Sequence, residues 1–207
     1  MYVFLLGRPG CGKSEIFRRA SEKLKQENLC DDFVRVDDFP KLWAIFQGDE
    51  KTGRWEHCRK TQDGGYKIID NTVWDRILKE VNSDVRNLKS PGRIIFVEFS
   101  RSNYTSAMKN FSGDVLGDSV IVYIYCSFET CWERNVRRHR QAVEAGSDDH
   151  LVSREEMEKT YLIDDEQELL KTTKIPAVRI NTDFEGTAHL VKAAGDIVSL
   201  IRKNLKK

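Results

Sequence analysis

Gly7-Arg8-Pro9-Gly10-Cys11-Gly12-Lys13-Ser14 decides the reading of this chain. It follows an apolar run, Tyr2–Leu6, and leads into residues 14–28, where Ile16, Phe17, Ala20 and Leu24 recur on one helical face. The octapeptide fits G-x-x-x-x-G-K-[ST] in the strand–loop–helix setting that gives the pattern meaning. Glycines let the backbone curl so that its N–H groups point at phosphate oxygens, and the following helix adds its positive end. Lys13 can reach the β- and γ-phosphates, and the Ser14 hydroxyl can ligate Mg²⁺. Gly7, Pro9, Gly10, Cys11, Gly12, Lys13, Ser14 and Glu15 are therefore the expected nucleotide contacts, with Ser14 the metal ligand. Four fixed positions match by chance in roughly one chain of this length in a hundred, so the loop points to a bound nucleoside triphosphate.

The whole-chain properties agree with such a site and exclude others. At 207 residues the chain makes one domain, with room for an insertion. Its 40% hydrophobic residues suffice for a core, and 34 basic against 33 acidic side chains leave a net charge of +1. No global field draws the chain to nucleic acid or an anionic membrane. The first apolar run is too short for a signal-peptide core, and the longest, residues 120–126, is strand-sized. The five cysteines, Cys11, Cys30, Cys58, Cys126 and Cys131, form no CxxC pair and no zinc spacing. These features predict a soluble cytoplasmic protein with reduced thiols and no membrane contact.

Apolar runs and helical patterns alternate along the chain. Strands are predicted at 2–6, 33–36, 93–99, 119–126 and 176–180, with a closing helix carrying Leu190, Val191, Ala194, Ile197, Val198 and Ile201. Strands separated by helices imply a parallel sheet with helices on both faces, an α/β fold of three layers. Residues 39–92 are too long for a simple crossover. They read as a helix near 41–46, a hairpin of 54–60 and 66–69 turning at Asp63-Gly64-Gly65, and an amphipathic helix through Val73, Trp74, Ile77, Leu78, Val81, Val85 and Leu88. Trp74 falls on the apolar stripe and is expected in the core. Residues 127–174 are helical and charged, with arginines first and then ten acids against two basic residues between Glu144 and Glu168. Ser153-Arg154-Glu155-Glu156 is a capping box.

A guanine-specific switch would need N-K-x-D, which is absent, and an AAA-type ATPase a strand ending in Asp-Glu, whereas the third strand ends with one acid, Glu98. The phosphate loop, the acids after strands two and three, the arginine-rich helix after strand four and the terminal strand and helix resemble the small P-loop kinases over nearly the whole chain. That group contains nucleoside monophosphate kinases and related small-metabolite and polynucleotide kinases. The resemblance implies a five-stranded parallel sheet in the order 2-3-1-4-5, a mobile helical lid at 127–174, and an acceptor-binding insertion at 39–92 within a single domain, 1–207. It implies transfer of the γ-phosphoryl group of ATP, with Mg²⁺, to a nucleotide or hydroxylated metabolite. The alternative is an ATP-hydrolysing switch with no small-molecule acceptor. A 5′-hydroxyl end of nucleic acid is an allowed acceptor without support from charge, and the chain is expected as a monomer or homodimer.

The resemblance also suggests roles for residues outside the loop. Asp37, at the end of strand two, is the expected base for an acceptor hydroxyl, with Asp38 beside it for acceptor binding; alternatively Asp38 caps the next helix. Glu98 closes an apolar strand, where an acid is costly unless it holds a metal, the nucleophile or a neighbouring loop. Arg101 can clamp an acceptor phosphate or carboxylate. Arg134, Arg137 and Arg138, at i, i+3 and i+4, share a helix face. Lid arginines in resembling kinases neutralise the transferring group, which assigns catalysis to Arg134 and Arg138 and binding to Arg137; pairing with the acidic run 144–168 is the competing fate. Cys11, at a helix start, is expected to have a lowered pKa.

Overall fold

The computed structural model describes residues 1–145, 151–184 and 186–205. Five strands form one parallel sheet: β1 (Tyr2–Leu6), β2 (Asp32–Asp37), β5 (Arg93–Phe99), β6 (Ser119–Tyr125) and β7 (Ala177–Asn181). A separate antiparallel hairpin comprises β3 (Cys58–Lys60) and β4 (Tyr66–Ile68). The sheet runs β2-β5-β1-β6-β7. With the hairpin strands set aside, that order is second, third, first, fourth and fifth in the chain. The class is therefore the expected three-layer α/β fold.

Side-chain alternation along the central strands makes two cores. Val3 and Leu5, Ile94 and Phe96, and Val120, Val122 and Ile124 face α1 (Lys13–Gln26) and α9 (Ala188–Asn204). Tyr2, Phe4 and Leu6, Ile95, Val97 and Phe99, and Ile121 and Tyr123 face α3 (Thr72–Asn87) and the short turns α4 (Tyr104–Ala107) and α5 (Gly113–Leu116). The stripe Val73, Ile77, Leu78, Val81 and Val85 is buried as its spacing requires. Among the described residues no helix is long and apolar enough to cross a membrane.

The insertion is more helical than its sequence suggests. α2 spans Phe39–Thr52, well beyond the apolar stretch near 41–46, because Pro40 stands in its first turn and Gly53 closes it in the left-handed region at φ 68°. The hairpin is shorter than expected: residues 54–57 lie outside the strand, which starts at Cys58. Two backbone N–H groups, those of His57 and Cys58, donate to Asp49 Oδ2 at 2.7 and 2.8 Å and fix where it begins. Phe46, Cys58, Tyr66 and Ile68 form a small third core of their own.

After β6, α6 (Phe128–Glu144) carries the arginines. From Leu151 onward the described residues form α7 (Arg154–Glu156), a π-helical turn, Met157–Tyr161, and then α8 (Glu166–Thr172). Part of the acidic run, 146–150, and the tail lysines Lys206 and Lys207 lie outside the described residues. Ser153 Oγ accepts from the Glu156 N–H at 3.1 Å, as a capping box requires. The reciprocal bond is missing: Glu156 instead accepts from Ile68 N–H of the hairpin and from the Thr160 hydroxyl. The acid that would close the cap thus ties this segment to the insertion.

Candidate functional site

The phosphate loop crosses from β1 to α1 at the carboxyl edge of the sheet, between β5 and β6. Gly7, Gly10 and Gly12 adopt φ of 141°, 82° and 96°. Gly7 and Gly10 are also sterically required, since a Cβ would collide with the carbonyls of Ile124 in β6 and Cys131 in α6. Gly12 has open space around it and is constrained by its left-handed φ alone. It stands at the N-cap of α1 with no side chain to cap. The first-turn amides are thereby left for an anion.

Lys13 is buried and bent back over the loop. Its Nζ donates to the carbonyls of Gly7 and Arg8 and to Ser100 Oγ, each at 2.9 Å. Ser100, absent from the sequence-based candidates, donates in turn to Gly7 O at 2.7 Å. Tyr104, also unanticipated, accepts from the Gly7 N–H at 3.0 Å. Arg8 donates to the carbonyls of Tyr161 at 2.6 Å and Cys126 at 3.1 Å, and pairs with Asp164 at 3.4 Å. Glu15 faces the cavity but is engaged by Arg18 and Arg19 of its own helix.

The register of β2 on β5 sets Asp37 beside Glu98. Arg35, two residues before Asp37 and so on the same face of the strand, joins them. One nitrogen of Arg35, Nη2, lies 2.7 Å from Glu98 Oε2, 3.2 Å from Asp37 Oδ2 and 3.3 Å from Ser14 Oγ. Three oxygens from three elements thus converge on a single cationic nitrogen. The sequence signal for Arg35 was its period-two spacing from Asp37, in an edge strand where charge passes unnoticed. Glu98 Oε2 is buried, and its close ion pair with Arg35 is too poorly aligned to count as a hydrogen bond. Burial pushes the Glu98 carboxyl above its usual range, against the pull of Lys13.

These hard oxygen donors suit Mg²⁺, which takes one or two carboxylates and completes its shell with water and phosphate. Their convergence on one nitrogen shows that they can share a cation. Among the described residues no group of three His, Cys, Asp or Glu side chains is arranged to hold a metal by itself.

Asp37 and Asp38 diverge. Asp37 Oδ1 accepts the Phe39 N–H at 3.0 Å, so the side chain that caps α2 belongs to Asp37, and Asp38, at the N-cap position, makes no capping bond. Asp38 turns into the cavity, where its Oδ2 receives Arg101 Nη1 at 2.6 Å; the two side chains are 10% and 7% exposed. Burial pushes the Asp38 carboxyl above its ordinary value, and Arg101 offsets this only in part. Arg101 is not held ready for an acceptor phosphate. Nη1 also donates to Ser100 O at 2.7 Å, Nη2 to Trp74 O at 3.3 Å, and the guanidinium lies 4.6 Å from the Trp74 ring. Trp74 is accordingly half-buried and lines the cavity, where its place on the apolar stripe predicted core.

Arg134, Arg137 and Arg138 all line the same cavity, yet they are not equivalent. Arg134 donates to Thr182 O at 2.9 Å and approaches Cys126 Sγ at 3.3 Å, anchoring α6 to the loop after β7. Arg137 and Arg138, further along the helix, are exposed. Four described acids of the 144–168 run pair with basic residues outside this trio: Glu155 takes Arg59 and Lys67, Glu158 takes Arg154, Asp164 takes Arg8, and Glu166 takes Arg179.

Cys11 is fully buried, and burial pushes its thiol up rather than down. The helix start does not overcome desolvation at this position. Alkylation by iodoacetamide is expected to leave Cys11 unmodified and nucleotide binding unchanged in the folded protein, with labelling only in denaturant. Peptide mapping checks this, and rapid native labelling of Cys11 would contradict the burial argument.

The cavity, about 470 Å³, joins two unlike ends. One holds the phosphate loop, Arg35, Glu98 and the α6 arginines. The other is walled by Phe39, Leu42, Phe46, Tyr66, Ile68, Trp74 and Tyr161 around Asp38 and Arg101. No family model and no curated protein matches the chain in sequence. Solved structures do match in fold. The APS kinase of Mycobacterium tuberculosis, in complex with AMPPNP and APS, superposes with a TM-score of 0.55 at 16% identity, over 97% of this chain and 96% of that one. A gluconokinase from Sinorhizobium meliloti 1021 gives 0.53 at 14% identity, over 98% and 93%. A putative kinase from Chloroflexus aurantiacus gives 0.52 at 15%, over 99% and 98%. The likeness spans both chains almost end to end and shows that this chain shares the fold of these kinases.

Proposed function

We propose that this chain of P-loop kinase fold is a phosphotransferase that moves the γ-phosphoryl group of ATP, with Mg²⁺, to the hydroxyl of a small acceptor. The observation that carries the reading is the cavity's division: a phosphate loop with a buried lysine at one end, an aromatic chamber with a buried carboxylate at the other. A switch protein has no need of the second chamber.

In this reading the loop amides and Lys13 bind the phosphates, which requires Lys13 to exchange its carbonyl partners for phosphate oxygens. Ser14, with Asp37 or Glu98, would hold the metal; Mg²⁺, when bound, neutralises charge on the phosphate oxygens. Arg137 and Arg138 stand on the phosphate side as cations for the transferring group. Asp38, rather than Asp37, is the base. Its place on the acceptor side supports this, as does Asp37's engagement with Arg35 and the start of α2. The acceptor oxygen attacks phosphorus, its proton passes to the Asp38 carboxylate, and the bond from phosphorus to the β,γ-bridging oxygen breaks with its electron pair leaving on ADP.

Acceptor-stimulated release of ADP tests the assignment. Asp38→Asn is expected to lower kcat about a thousand-fold with ATP affinity little changed. The wild-type rate should fall as pH drops through an Asp38 pKa raised above 3.8, because protonation removes the base. Tight ATP binding with no stimulation by any acceptor would overturn the reading in favour of a switch.

A further inference from the structure

The chamber opposite the phosphate loop also says which acceptors it can hold, and here the inference rests on the phosphotransfer reading. Among the described residues lining that chamber the cation is Arg101, and both of its Nη atoms are already engaged. They bond to Asp38, Ser100 O and Trp74 O, while Nε is buried without a hydrogen-bond partner. The arginines the insertion offers in sequence lie elsewhere. Arg59 pairs with Glu155 on the surface, Arg54 is exposed beside Glu56, and Arg76 lines a different, shallow depression. Acids lie inside the chamber too, Asp38 within it and Glu156 in its wall, whereas at its boundary with the loop Asp37 and Glu98 are paired with Arg35.

A phosphomonoester placed there would bring two negative charges into a chamber whose one cation is already neutralised. Burying an anion without a partner is costly, and neighbouring carboxylates add repulsion. The rest of the wall favours something else. Phe39, Phe46, Tyr66, Trp74 and Tyr161 line it. Phe46 and Tyr66, nearly buried, stack on each other with centroids 4.6 Å apart behind this wall, and an aromatic lining suits a flat ring rather than a branched or heavily solvated polyol. The carboxylate that receives a hydroxyl proton lies at the chamber's end nearest the loop.

We infer that the acceptor is an uncharged molecule with a planar aromatic ring and a free hydroxyl, and not a phosphate ester or carboxylate: the aromatic chamber with its internally neutralised Asp38–Arg101 pair suits the first and leaves the second without a compensating charge. A nucleoside and a hydroxymethyl-bearing aromatic heterocycle share this chemistry.

The test sets matched pairs against the protein with Mg-ATP: nucleosides beside their 5′-monophosphates, and aromatic alcohols beside the corresponding carboxylates. ADP release is followed, and binding is titrated calorimetrically with a non-hydrolysable ATP analogue present. At least one neutral member should stimulate ADP release tenfold or more, while its charged partner gives less than a tenth of that effect. Nucleosides against heterocyclic alcohols then identify the source. Phe39→Ala, at the half-exposed start of α2, should raise the acceptor KM about tenfold and leave ATP binding unchanged. Preference for monophosphates or carboxylates would overturn the inference while leaving phosphotransfer standing. Binding of neutral aromatics without turnover would support the chamber's chemistry and overturn the phosphotransfer reading. Failure of every neutral aromatic compound to bind beside a bound ATP analogue would overturn the inference directly.

Discussion

Lys13→Ala is expected to lower kcat at least a thousand-fold while the protein remains folded. The buried ammonium makes all three of its short contacts to the loop and Ser100, so no other element depends on it for packing. Loss of one positioned donor from a water-poor site typically costs a hundred- to a thousand-fold in rate. Lys13 supplies a full charge as well as a donor, which places it at the upper end. The deletion leaves the carbonyls of Gly7 and Arg8 without their cation, a modest penalty beside the cores on either face of the sheet. Steady-state kinetics and a thermal melt check both halves. Turnover within tenfold of wild type would remove Lys13 from the chemistry, and with it the phosphate-loop assignment.

The second large effect concerns stability. Arg101→Leu should destabilise the protein by about 3–5 kcal/mol, because it strands Asp38 as a buried charge with no partner. For a domain of this size that is a fall in Tm of roughly 6–20 °C. The deficit has a definite pH dependence. Burial already holds the folded-state pKa of Asp38 above 3.8, and removing Arg101 raises it further. The penalty is full above that raised pKa and shrinks as pH falls toward the unfolded value, where Asp38 is neutral in both states. The double replacement Arg101→Leu/Asp38→Leu is expected to recover most of the loss, since no charge remains buried, and to be inactive. Calorimetry of the two variants at pH 5 and pH 8 separates these outcomes. A single variant as stable as wild type would mean that the pair is not the buried ion pair described.

The fold was legible because its signals are local. Five apolar runs with helices between them specify a parallel sheet, and the octapeptide at residues 7–14 locates the nucleotide end. What escaped depends on contacts between distant segments. Arg35 looks unremarkable in Asp32–Asp37 until β2 pairs with β5 and sets its guanidinium between Asp37, Glu98 and Ser14. Ser100 and Tyr104 matter only because β5 lies next to β1. The opposite failure is instructive too. A helix start argues for an acidic Cys11, but burial outweighs it, and burial cannot be read from a turn sequence. Three arginines at helical spacing suggest a common fate, yet Arg134 is close enough to β7's exit to be taken by Thr182 O. Spacing identifies a shared face; only packing distinguishes its near end from its far end.

The fit of the loop glycines against their neighbours bears on what such a motif can testify to. Gly7 and Gly10 are wedged against the carbonyls of Ile124 and Cys131, so any side chain there would push β6 or α6 away from the loop whether or not a nucleotide ever binds. A descendant of this chain that abandoned phosphate chemistry would still be held to both glycines by the need to fold. Lys13 has no such protection. In reading diverged copies of this architecture, the two glycines are evidence of inherited shape, and the lysine is the witness to retained chemistry.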